Sequence, residues 1–99
     1  MIKPTWEPHP SMAHGRLSTT DKALLPDTAF AFPRARKEPM TDATHVRDAM
    51  ARFNQVEDVT NAERDLAFSN LQEAALHFDI QMKETNWHQL GSGQARSAR

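Results

Sequence analysis

Nearly all the large apolar residues of this chain fall between Leu17 and Leu90, in short groups separated by turn and cap signals. Ser18 and Asp21 stand at capping-box spacing and predict a short helix over Thr19–Leu24, stopped by Pro26. Phe30 and Phe32 alternate with alanines, the pattern of a short strand with both rings on one face. Pro33 removes the next ladder donor, so that strand is an edge or very brief. Asp42 is placed to cap a second helix, on which Val46, Ala49, Met50 and Phe53 share one face at i, i+3, i+4 and i+7. Thr60 and Glu63 form a cleaner capping box and open the longest helix, over about 61–77. Its seam is Phe68, Leu71, Ala75 and Phe78, widened by Leu66, Ala67 and Ala74. Asp79 follows where the chain must turn off, a position that favours residues tolerant of the left-handed conformation. Ile80 and Met82 alternate with Gln81 and Lys83, predicting a second short strand paired with Ala29–Phe32. Trp87 and Leu90, three apart, form a closing turn. The expected fold is α+β and mainly helical: three helices, a minimal two-stranded element and a closing C-terminal turn.

The two ends read differently. Residues 1–16 hold Pro4, Pro8, Pro10 and Gly15 with no apolar periodicity, which predicts a disordered N-terminal arm. Residues 91–99, rich in Gly, Ser and Arg, predict a flexible C-terminal tail. A single small domain over 17–90 remains, near the size at which a core alone rarely supplies more than about 3–5 kcal/mol. Within it, Phe30 and Phe32 are expected to dock under the second helix, and Phe30→Ala to cost about 3–5 kcal/mol.

Composition narrows the function classes. The 99 residues are 38% hydrophobic and 25% charged with a net charge of −1, so a strongly basic nucleic-acid coat is excluded. No apolar run reaches the ~18 residues of a membrane span, and no secretory h-region is visible. With no cysteine, thiolate chemistry and Cys-based zinc sites are absent, and a cytoplasmic setting is expected. No glycine joins a strand to a helix, so no phosphate cradle exists. Ser18 and Ser69 offer hydroxyls without an identifiable base.

Two constellations carry candidate chemistry. His45 lies between Asp42 and Asp48, where a metal or general-base role competes with the plainer one of Asp42 capping the helix and His45 packing on the 25–32 segment. The plainer reading is preferred because two ligands do not make a site. His77 and His88 are read likewise, as helix-end cations or packing residues. Arg34, Arg36 and Lys37 form a basic loop able to contact phosphate or an acidic partner, joined by Arg16, Arg96 and Arg99. Asp27 is expected to accept a backbone donor at the turn before Phe30.

The segment Leu25-Pro-Asp-Thr-Ala-Phe-Ala-Phe-Pro33 resembles the L-P-D-S-A-F-A-F/L-P signature of a small bacterial domain family of unknown function. Arg36 to Met40, with Asp42 and His45 to Ala49, resembles that family's R-K-Y-P-I/V-x-D-x-x-H-A/V-R-N-A block, with Glu38 in the place of Tyr. Residues 51–55, 60–64 and 84–87 extend the likeness over about 17–90, with Asp79 in the place of a common Gly. The resemblance implies an accessory module found mostly in actinobacteria and their phages. The family's third helix is rich in Lys and Arg, whereas residues 59–82 here carry a net charge of −3.

The sequence therefore points to a non-enzymatic accessory or interaction module acting through an unknown protein partner, with no cofactor, metal or catalytic residue and no membrane association. The alternative is nucleic-acid binding through Arg34, Arg36, Lys37 and the Arg-bearing tail. Asp27, Phe30, Phe32, Asp42, His45 and Trp87 are assigned structural roles.

Overall fold

A computed structural model of the chain describes residues 2–9 and 17–90. Residues 10–16 of the expected arm, His14 among them, and the expected tail 91–99 lie outside the described residues. The elements run α1 (Thr19–Ala23), a 3-10 turn (Asp27–Ala29), β1 (Phe30–Phe32), β2 (Lys37–Pro39), α2 (Ala43–Arg52), a 3-10 turn (Phe53–Gln55), α3 (Asn61–His77) and a closing 3-10 turn (Trp87–Gln89). This is a mainly helical α+β fold with a two-stranded antiparallel sheet.

Local chemistry sets the helix ends as the sequence predicts. Ser18 with Asp21 and Thr60 with Glu63 both close reciprocal capping boxes, and Asp42 accepts the His45 N–H at the start of α2. At the end of α3, Asp79 takes φ 59°. The Ile80 N–H then reaches back to Ala75 O (2.7 Å) and the Asp79 N–H to Leu76 O (3.2 Å), the paired bonds of a Schellman cap.

That cap is one reason residues 80–82 form no strand. Ile80 donates its N–H to the helix end, and β1 is already paired by β2, Phe30 opposite Pro39 and Phe32 opposite Lys37. The two-stranded element is thus a local hairpin instead of the expected pairing of β1 with 80–82. A four-residue turn, with Arg36 at φ 55°, brings β2 back onto β1. Glu38 also sits at φ 59°, in the left-handed region within β2.

The core lies between the hairpin, α2 and α3. Phe32, Val46, Ala49, Phe53, Phe68, Leu71 and Ala75 are buried together, and Trp87 packs against them with its ring stacked 6.4 Å from Phe53. Phe30 does not join that cluster: it is buried in a satellite with Ala29 and with Leu17 and Leu25, which flank α1. The expectation that both rings dock under α2 therefore holds for Phe32 alone.

Residues 2–9 of the expected arm require a larger correction. They lie against the domain, with Trp6 only 5% exposed and part of the main core. Pro4 and Pro8 restrict the residues before them to extended backbone, which lowers the entropy lost when such a segment docks.

Candidate functional site

The basic loop folds back on its own domain. Arg34 forms a bidentate pair with Glu63, and its Nη2 also donates to Asp58 O at 2.9 Å. Glu63 Oε1 meanwhile accepts the Thr60 N–H at 2.9 Å, so a single carboxylate caps α3 and anchors the hairpin. The Arg34 hydrogen bond, reinforced by that N–H, holds the Glu63 carboxyl down at about 2. A depressed carboxyl stabilises the fold above its ordinary 4.5, and that support is lost as pH falls toward 2.

Arg36 is equally committed. It pairs with Asp27, donates to Leu25 O (2.8 Å) and Lys22 O (2.9 Å), and lies 4.6 Å from the Phe30 ring centroid. The Asp27 carboxylate thus meets a guanidinium, where a backbone donor at the turn was expected. Lys37 stays exposed.

His45 borders the capped first turn of α2. One oxygen of Asp42 accepts both the His45 N–H and a contact from Nδ1, each at 2.8 Å. Among the described residues no group of three or more His, Asp or Glu side chains is placed to hold a metal ion. His77 packs edge-on to Phe78 and Trp6, and His88 stacks on Trp87 at 3.8 Å. The Trp87 indole N–H donates to Asp65 (2.9 Å), fixing the closing turn against α3. Ser18 is a helix cap and Ser69 donates to Ile2 O, so both hydroxyls have structural partners.

A groove of about 770 Å³ runs between α1, β2 and α2. Leu17 and Phe30 supply apolar lining, and Lys22, Lys37, Glu38, Asp48 and Arg52 surround them with both signs of charge. It adjoins a second hollow of about 350 Å³, and Lys37, Glu38 and Arg52 line both. Glu38 is thus common to the two hollows. Burial pushes its carboxyl up and nearby Asp48 adds to this, while Arg52, Lys22 and Lys37 pull the other way.

Residues 19–85 match a family described as a family of unknown function, DUF6582. The chain belongs to the DUF6582 family. No curated protein and no solved structure matches it. The DUF6582 span takes in the hairpin, nearly all of the groove lining and α3, and leaves out the segment 2–9 and the closing turn. No helix among the described residues is long and apolar enough to cross a membrane.

Sequence reasoning overlooked Asn70, which is fully buried on α3. Its Oδ1 accepts the Thr5 and Trp6 N–H groups (2.7 and 2.8 Å), and its Nδ2 donates to Ala31 O (2.9 Å) and Thr5 Oγ1 (3.1 Å). A polar residue amid the apolar stripe Ala67, Phe68, Leu71 and Ala74 was the available signal.

Glu38 gives a pH test. With its folded carboxyl raised above 4.5, its contribution to stability is fully present below that pH and is lost as pH rises through the folded value. Glu38→Gln removes the titration. It is expected to melt a few degrees above wild type near neutral pH and level with it at about pH 4, read by thermal denaturation. Equal melting at both pH values would show that Glu38 is not desolvated.

Proposed function

We propose that this DUF6582 chain is a non-enzymatic accessory module that acts by protein–protein contact, receiving a charged segment of a partner along the groove between α1, β2 and α2. The carrying observation is the groove itself, with an apolar lining inside a rim of both charge signs, the composition that recognises a polypeptide segment better than a uniform polyanion. The hydroxyls of Ser18 and Ser69 have structural partners, and the His45 ring is tied to the cap of α2, which supports a reading without catalysis. The sequence resemblance supplies the setting to search: actinobacterial cytoplasm, and phage structural proteins as partners.

The alternative is nucleic-acid binding through Arg34, Arg36, Lys37 and the Arg-bearing tail; both arginines of the loop are held by intramolecular partners, and the tail lies outside the described residues. The decisive experiment compares the wild-type chain with a Lys37→Glu/Arg52→Glu variant as bait in lysate of the native host. A protein enriched by wild type and lost on the variant is the expected result. Equal capture by both, or none above control, overturns the groove as the contact surface. A gel-shift titration accompanies it: binding that weakens steeply with salt would replace this reading with the nucleic-acid one.

A further inference from the structure

The groups that hold residues 2–7 among the described residues belong to the domain, and four of the hydrogen bonds read backbone. The Thr5 and Trp6 N–H groups donate to Asn70 Oδ1, the Glu7 N–H to Thr28 O (3.1 Å), and Ser69 Oγ donates to Ile2 O (2.6 Å). The side chain that enters deeply is Trp6: its indole N–H donates to Met40 O (3.1 Å) and its ring meets His77 and Phe78 edge-on at 5.6 and 5.9 Å. Thr28, Met40, Ser69, Asn70, His77 and Phe78 all fall inside the family span 19–85, and the bound segment falls outside it. Asn70 is the telling residue, because a fully buried amide whose oxygen accepts two consecutive N–H groups of one segment is a costly feature unless such a segment is bound.

We infer that the slot between β1 and α3 is a recognition site for a short peptide bearing a tryptophan, and that residues 2–9 occupy it in cis as a displaceable ligand. The occupant in trans is a partner protein's segment with an indole at the position of Trp6 and a hydroxyl at that of Thr5, which Asn70 Nδ2 contacts (3.1 Å), since the other hydrogen bonds are made to its backbone. This inference rests on reading the chain as an interaction module, but it uses a different surface from the charged groove. A tethered ligand acts at an effective concentration in the millimolar range, so a partner engages only when locally abundant or when the arm is released.

The test uses the full chain carrying Trp6→Ala, which empties the indole pocket, and a labelled synthetic peptide of residues 1–9. Saturable binding to the variant is expected, at least about tenfold weaker for the wild-type chain and lost when the peptide's own Trp is replaced by Ala. No saturable binding to a variant that circular dichroism shows to be folded overturns the inference. Amide hydrogen exchange on the wild-type chain decides independently if the variant is unfolded. The Thr5 and Trp6 N–H groups are expected to exchange at least about tenfold faster than that of Ala75, and exchange in step with it would make the arm a permanent part of the core. A wild-type chain that is dimeric at micromolar concentration would assign the slot to a second copy and overturn the partner reading. The Lys37→Glu/Arg52→Glu variant retains the peptide isotherm in the Trp6→Ala background, so the two surfaces fail or stand separately.

Discussion

Phe53→Ala is expected to abolish cooperative folding at 25 °C. The ring has no exposed surface, and it lies at the end of α2 where the hairpin, α3 and the closing turn converge. Its centroid is 5.2 Å from Phe32, 6.4 Å from Phe68 and 6.4 Å from Trp87. Truncation removes about 3–5 kcal/mol of transfer and cavity energy. A core of this size supplies about the same amount, so the variant has nothing left to hold the hairpin on α3. Urea titration followed by far-ultraviolet circular dichroism checks it, the expected result being a broad, baseline-less decline. A variant melting within a few degrees of wild type would place the centre of the core elsewhere.

Phe30→Ala is the informative comparison. Phe30 is as buried, at 2% exposure, yet its satellite cluster joins Leu17 and Leu25, on either side of α1, to the hairpin and lies apart from the α2–α3 core. Its cost is expected at the lower end of the same range, about 3 kcal/mol, with α1 loosening first. The variant is still expected to unfold cooperatively, at lower urea.

That contrast shows what a linear reading captures here. Helix starts were legible because a cap is local: Ser18 with Asp21, Asp42 with His45 and Thr60 with Glu63 each act over three residues. The end of α3 was legible at Asp79 for the same reason. Strand pairing was not, because alternation at Ile80 and Met82 carries no information about the cap that takes up the Ile80 N–H. The hairpin instead needs non-glycine residues at positive φ, Arg36 and Glu38, a conformation that their identities do not announce.

The basic loop was visible as charge, but its role depended on Glu63 and Asp27, one of them 29 residues away. For residues 2–9 the expectation of disorder failed on the same ground. Their prolines and absence of periodicity argue for disorder, while Trp6 is held by contacts to Asn70 and Met40 that span 64 and 34 residues. A tryptophan between prolines, together with an asparagine inside an apolar stripe, is a pair of local exceptions that explain each other only in three dimensions.

Asn70→Ala tests that pairing directly. Loss of the amide leaves the buried Trp6 N–H and Ala31 O, and the part-buried Thr5 N–H, without their partner. Each buried group stranded in this way costs about 1–3 kcal/mol, and the arm can recover part of that only by leaving the slot and hydrating its N–H groups. The expected net loss is about 2–4 kcal/mol, with the arm released before α3 melts. In a Trp87→Phe background the emission of Trp6 reports this, shifting to the red at temperatures where helical ellipticity is still native. Asn70→Leu separates the hydrogen bonds from the volume, because leucine fills the position without accepting the two N–H groups. It is expected to give the same red shift with a smaller drop in melting temperature. Native emission in both variants would mean that Trp6 is held by its ring contacts alone and that the amide does not fix the segment.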